Sequence, residues 1–294
     1  MVPGNVRLAV IPDAGSNEYE IHEALAARGI DVLVIDHHKA DKYSDYACVI
    51  NNQLDDYPTK SLSGVAMVYK FCRFMDDVLD TDYSNNYLDL VALGVTADVM
   101  DMRPYETRYL VSCGLENFKN PLIKALYAKT KYSIDKSGGL SPYNLAYYIA
   151  PLVNATTRVG TKSEKMTLFE SMLEFRAYES IPSTKRGCRG QQESRVEQAA
   201  RNCTNIKNRQ TKARDEDAVV MKRRIEELNL LDHKILLLLM EHGTPSIAGL
   251  IANQLVAAYH HPTLILFKQE NEDGEIIWSG SGRNDTLYGL ENFR

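Results

Sequence analysis

The sequence predicts an α/β protein: a parallel-sheet domain with a helical portion, a long connecting helix, and a second, smaller α/β domain. Three observations lead there. Two short β-branched runs, at 6–11 and 31–35, each end at an aspartate and are separated by an amphipathic stretch. The pattern from 62 to 176 is mostly helical, and a β-α-β succession returns after 235. Continuous apolar runs joined through a helix suggest parallel strands covered on both faces.

The elements follow in order. Residues 6–11 give a strand that stops at Pro12-Asp13, and Ser16 or Asn17 is positioned to cap the helix that follows, up to Gly29. Residues 31–35 form a second strand ending at Asp36, and 46–50 a third. Val65, Val68, Tyr69 and Cys72 mark one helical face, and Leu88, Val91, Ala92 and Val95 another. Further helical patterns cover 105–113, 121–128, 142–149 and 162–178, with breakers at Gly138-Gly139 and 181–190. Residues 191–230 read as one helix of about 60 Å. Few of its apolar positions recur regularly, so it is expected to bridge two bodies instead of lying in a core. Strands at 235–240, 263–267 and 276–278 and a helix carrying Ile247, Leu250, Ile251 and Leu255 complete the chain.

Composition narrows the class. The 294 residues have an ordinary charged fraction of 25% and no apolar run long enough to cross a bilayer. No basic segment followed by an apolar core marks a secretory signal. Five cysteines, with no C-x-x-C pair, favour free thiols and a cytoplasmic location over a disulfide framework or a zinc site. Net charge is −5, yet residues 185–224 hold 12 basic against 5 acidic residues. Such a segment on an acidic body suits a polyanion contact, or else a solvated helix.

Asp13 and Asp36-His37-His38 both follow predicted parallel strands, at the sheet edge where open α/β sheets bind ligands. Asp98 ends a helix otherwise built of small and apolar residues, where a buried carboxylate is costly unless paired or metal-bound. Oxygen and imidazole donors suit Mn²⁺ or Mg²⁺. Taken singly, Asp13 reads as a turn or cap, Asp98 as a cap, and Asp-His-His as a surface loop. The three together, in this order, carry the chemistry. His260-His261 before Pro262 reads as an exposed loop, and Trp278 as packing.

The runs 10–17 (VIPDAGSN), 34–38 (VIDHH) and 92–100 (ALGVTADVM) resemble the second to fourth motifs of the DHH phosphoesterases. The resemblance implies two Mn²⁺ or Mg²⁺ ions in the intact site. Asp13 would bridge them, His37 and Asp98 would ligate the second, His38 would act at the scissile phosphate, and Asp36 would orient the histidines. Within this superfamily, 149–158 (IAPLVNATTR), the basic connector, 247–255, 262–266 and 280–283 are similar to the RecJ type of single-stranded-DNA exonuclease. That likeness implies 5′→3′ hydrolysis of single-stranded DNA in repair and recombination. Asn154, Arg158, Lys207, Arg209, Lys212, Arg214 and Gly280-Ser281-Gly282-Arg283 would contact the strand. In the 149–158 run, Leu152 stands where the RecJ pattern has Arg, and Thr157 where it has Gly. A single-stranded-DNA-binding protein and other replication or repair proteins are the expected partners, with no membrane role.

The domain boundaries expected are 1–160 for the DHH domain, 161–230 for the connector and 231–294 for a partial DHH-associated domain. An Asp-x-Asp motif is expected ahead of Asp13 and a Gly-His-rich motif at the far end, and neither is present in these residues. The expectation is therefore a chain cut at both ends, from a partial reading frame, a split protein or a decayed copy, with impaired activity. Two alternatives stand beside the exonuclease: an oligoribonuclease or nucleotide phosphatase of the same superfamily, and a non-catalytic DNA-binding relative.

Overall fold

The computed structural model describes residues 3–285 apart from Asp55, Asn117, Arg189, Glu272 and Asp273. The chain divides into two compact units, Met1–Asn154 with Met166–Ala200, and Ala155–Lys165 with Arg201–Arg294.

In the first unit, β1 (Leu8–Pro12), α1 (Tyr19–Ala26), β2 (Asp31–Asp36) and β3 (Cys48–Asn51) build a parallel sheet in the order β1-β2-β3. Its register runs from Leu8↔Asp31 to Pro12↔Ile35 and from Leu33↔Cys48 to Asp36↔Asn51. The central strand is covered: Val32, Val34 and Ile35 are buried. Each such aliphatic side chain contributes about 1.5–3 kcal/mol by leaving water. β1 departs from the expectation of two covered faces, since Leu8 and Val10 are about half exposed. It has a sheet neighbour on one side only among the described residues, so less of the fold lies over it.

Neither Ser16 nor Asn17 caps α1. The helix starts at Tyr19 after Glu18, which makes no side-chain cap. Ser16 turns inward to Asp36, and Asn17 bonds the 39–41 loop.

Helices follow: α2 (Gly64–Leu79), α3 (Leu88–Ala97), α4 (Tyr105–Glu116), α5 (Pro121–Lys136), α6 (Pro142–Asn144), a π-helical turn at Leu145–Ile149, α7 (Ala150–Val159), α8 (Lys162–Met172) and α9 (Glu174–Ala177). The face of α2 read from sequence is displaced. Gly64, Ala66, Met67 and Asp76 are its buried residues, while Cys72 is exposed. Several of its residues are apolar all round, so periodicity alone could not pick the inward side. On α3 the expected positions Val91, Ala92 and Val95 are buried. Asp89, in its first turn, accepts from the Lys119 and Asn120 amides and so anchors the start of α5.

Two further differences concern the connector. Residues 180–194 are not merely a breaker: β4 (Ser180–Pro182) pairs antiparallel with β5 (Gln192–Ser194). The long helix, α10, then spans Arg195–Glu227, 33 residues or about 50 Å. It is packed, contrary to expectation. Val196, Ala199, Ala200, Cys203, Ile206, Ala218, Met221 and Ile225 are buried at three- and four-residue steps. Small residues in that stripe and the many charges around it hid the pattern.

In the second unit, β6 (Leu236–Met240), α11 (Ala248–Tyr259), β7 (Thr263–Glu270) and β8 (Ile276–Arg283) form a mixed sheet. β6 and β7 are parallel, β7 and β8 antiparallel. Its core joins Leu236, Leu238, Ile251, Leu255, Ile265 and Phe267 with Ala218, Met221 and Ile225 of α10. Trp278 is 40% exposed, so it is less a packing residue than its size suggested.

Candidate metal centre

The carboxyl ends of β1 and β2 lie side by side, which delivers Asp13 and Asp36-His37-His38 to one edge of the sheet. The Asp13 amide extends the β1–β2 ladder by donating to Ile35 O at 2.9 Å. The chain then turns sharply, with Asp13 at φ 61°. Aspartate tolerates this left-handed region better than most residues.

His37 is the meeting point. Its Nε2 lies 3.2 Å from Asp13 Oδ1 and 3.4 Å from Asp98 Oδ2. The three residues come from β1, β2 and the end of α3. The His37 side chain is only 9% exposed, whereas Asp13 and Asp98 open to solvent at 63% and 51%. Asp98 is therefore not the buried carboxylate expected from its neighbours. Its cost has another source: it terminates α3, with its amide on Gly94 O, where the helix dipole is negative. A carboxylate there calls for a cation. Val99, next to it, is β-branched and sits at φ 55°, a strained backbone held beside the site.

Asp36 faces the other way, into protein. It is 1% exposed. Its Oδ2 accepts from the Ser16 amide at 3.2 Å and Ser16 Oγ at 2.8 Å. Its Oδ1 accepts from the His37 and His38 amides and from His38 Nδ1 at 2.7 Å. Burial pushes the carboxyl up, but the His38 and Ser16 side chains and the two backbone donors outweigh it and hold the group at about 2. An ionised Asp36 fixes the His38 proton on Nδ1 and leaves Nε2 for the open side. The hydrogen bond to Asp36 raises the His38 pKa; burial opposes it, and the charges of Asp36, Asp13 and Asp98 add to it.

Asn51, at the end of β3, donates from Nδ2 to Ser16 Oγ at 2.8 Å and to His38 O at 2.9 Å. Ser16 and Asn51 were missed as site residues. Ser16 read as a cap, and Asn51 lay just beyond the strand expected at 46–50. The signal that could have found Asn51 was its place at the end of a parallel strand, the same criterion that found Asp13 and Asp36.

Asp13, Asp36, His37 and His38 each offer a ligand atom, all within 4.8 Å of one another. Asp36 is committed to five donors, which leaves Asp13 and His37, with Asp98 beside His37 at 3.4 Å, as residues that could hold a divalent cation. Two carboxylates and one imidazole are hard and borderline donors suited to Mn²⁺ or Mg²⁺. These residues would supply ligands for one ion.

The strand-contact candidates fall in two groups. Asn154 lies on α7 within the first unit, and the others lie in the second. Lys207 is partly buried, and its pKa is lowered by burial and then by the positive charges of Arg214 and Arg158. Those three cations thus gather in one place. Arg209 instead pairs with Glu164 at 3.2 Å, Lys212 with Glu216 at 3.7 Å and Arg214 with Asp215 at 2.7 Å. Gly280, Ser281, Gly282 and Arg283 lie within a strand. They are the second half of β8, opposite Leu266, Ile265, Leu264 and Thr263. A Cβ on Gly280 would collide with Ile265 O, so this glycine serves strand packing. Arg283 Nη1 donates to Ser281 Oγ and Gly282 O at 2.7 Å. His260 Nδ1 lies 3.3 Å from Asp285 Oδ2, a partner 25 residues away that local spacing could not reveal.

Residues 2–95 match the DHH family, N-terminal domain. Over its whole length the chain is 40% identical to YorK of Bacillus phage SPbeta, named as a single-strand DNA-specific exonuclease. The chain is thus similar to members of the DHH family. It is also 24% identical, over 92% of its length, to the single-stranded-DNA-specific exonuclease RecJ of Bacillus subtilis (strain 168). The chain spans half the length of YorK and 31% of that RecJ. Two solved structures share the fold with a TM-score of 0.70, each over 88% of the chain: an exonuclease RecJ bound to manganese, at 20% identity, and RecJ with Mn²⁺ from Thermus thermophilus, at 19%. The chain covers 60% and 36% of them. No helix among the described residues is long and apolar enough to cross a membrane.

Proposed function

We propose that this protein hydrolyses phosphodiester bonds in single-stranded DNA with a divalent metal, Mn²⁺ or Mg²⁺, in the 5′→3′ direction. The observation that carries the reading is His37 Nε2 within 3.4 Å of two carboxylates, Asp13 and Asp98, from distant parts of the chain. Two such groups on the sheet edge and one from the end of α3 serve a hard cation better than they serve each other. When bound, the ion supplies Lewis-acid stabilisation of the phosphoryl oxygens and a strong nucleophile from water.

The chain's own residues supply the rest. Asp13, His37 and Asp98 hold the ion. Asp36 holds His38 through Nδ1 and raises its pKa, so that the protonated imidazolium donates from Nε2 to a phosphoryl oxygen as negative charge grows there. Ser16 and Asn51 keep Asp36 and the His38 carbonyl in register. Arg158, Lys207 and Arg214 are proposed to hold the strand backbone, with Asn154, Arg209, Lys212 and the 280–283 segment as further contacts. The relatives' names support the substrate, and a place in repair or recombination in the cytoplasm follows the same relatives and the free cysteines.

The test is cleavage of 5′- and 3′-labelled single-stranded DNA with Mn²⁺, beside a dinucleotide substrate. The reading expects metal-dependent shortening of the long strand, lost in His37→Ala and Asp98→Ala. Faster turnover of dinucleotides than of the strand, or cleavage that survives both substitutions, overturns it.

A further inference from the structure

We infer that Gly64 is a positioning residue for the candidate metal ligand Asp13: the Asp13 carboxylate occupies the space that any side chain at 64 would fill. A Cβ built on Gly64 would lie 2.6 Å from Asp13 Cβ and closer still to Cγ and Oδ1. Such separations lie far inside van der Waals contact, and the obstacle is the very carboxylate that meets His37.

Three facts separate this role from the usual uses of glycine. Gly64 is absent from the residues with positive φ, so its backbone does not require glycine. It is the first residue of α2, inside a helix, where alanine would be the better residue by propensity. It is also buried, so solvent gives the displaced carboxylate no direct opening on that side. The remaining explanation is room. The arrangement also seats the Asp13 carboxylate at the N-terminal end of a 16-residue helix. Asp13 itself stands at φ 61° and cannot retreat by an ordinary backbone adjustment. A side chain at 64 therefore has to push the carboxylate off His37.

The inference rests on Asp13 being a metal ligand, and the test keeps the two apart. Gly64→Ala and Asp13→Gly are made singly and together. Glycine at 13 accepts the positive φ and removes every atom that a Cβ at 64 would strike. Thermal melts with EDTA report the steric claim with no metal present. Gly64→Ala is expected to lower the melting temperature when Asp13 is present and to leave it unchanged or raise it in the Asp13→Gly background. Isothermal titration with Mn²⁺ reports the ligand claim. Gly64→Ala is expected to weaken binding at least tenfold, and to add nothing to the loss in Asp13→Gly. Equal effects of Gly64→Ala on melting in both backgrounds overturn the positioning role. Wild-type protein that binds no Mn²⁺ overturns the metal reading beneath it, even with a non-additive melting cycle.

Discussion

Replacing Asp36 with asparagine keeps the side chain's shape and removes its charge, in a place where the structure sets the cost. The carboxylate takes five donors: two from Ser16 on Oδ2, and two amides and His38 Nδ1 on Oδ1. An amide offers one acceptor oxygen, so its NH₂ must face one of these sets. The Ser16 hydroxyl can turn to accept, but the Ser16 amide or the His37 and His38 amides lose their partner. At about 1–3 kcal/mol for each orphaned buried donor, the loss is roughly 2–4 kcal/mol. The lowered pKa that these same donors impose corresponds to a similar figure. Asp36 is held at about 2 against an ordinary 3.8. At about 1.4 kcal/mol per unit, that is roughly 2 kcal/mol for this nearly inaccessible group. Because the folded-state value lies below the unfolded one, this stabilisation is complete above the ordinary carboxylate range. It is lost as pH falls through about 2. Urea unfolding followed by circular dichroism from pH 7 to pH 2 is the assay. Asp36→Asn should be less stable at pH 7 by the stated amount, and the gap should close in acid. A difference under about 0.5 kcal/mol at pH 7, the size of an ordinary surface substitution, would refute the reasoning, as would a gap that stays constant with pH.

Other consequences are open to measurement. Ser16→Ala removes one donor to Asp36 and the acceptor of Asn51; it should cost about 1–2 kcal/mol in the same unfolding assay, and no loss would show that Ser16 is only a turn residue. Affinity for an oligothymidylate should fall steeply with salt, and alanine at Arg158, Lys207 or Arg214 should each reduce the slope by about 0.7; an unchanged slope removes that residue from the interface. The Cys203 thiol is buried and pushed up to about 11, whereas Cys48 and Cys72 are exposed. Mass spectrometry after brief alkylation at neutral pH should find Cys203 unmodified until the chain is denatured, and its early labelling would contradict the packing of α10.

Much of the fold was legible because parallel strands announce themselves. The runs before Asp13 and Asp36 are β-branched and end at the residues that matter, so sheet and site were read together. Helix existence from 62 to 176 was equally plain. What failed had physical causes. α2 carries apolar residues on more than one side, so its inward face at Gly64, Ala66 and Met67 could not be chosen by period. α10 buries alanines and a cysteine among charges, and its stripe looked too weak to be a core. The Asp36 network was the least visible part. A serine after a strand is most often a cap, and only the folded sheet shows Ser16 closing on the Asp36 carboxylate from 20 residues away, with Asn51 bonded to Ser16 and to the His38 carbonyl. Gly64 was hidden for a related reason: a glycine opening a helix says nothing about what occupies the space beside it. Asp98 was singled out as a buried carboxylate, but it is half exposed at the end of α3.

Anomalous diffraction from crystals soaked in Mn²⁺ tests the central claim most directly. The account places a manganese peak within coordination distance of Asp13, His37 and Asp98 together, with Asp36 still bonded to Ser16 and His38. A peak elsewhere, or none at saturating Mn²⁺, would contradict it.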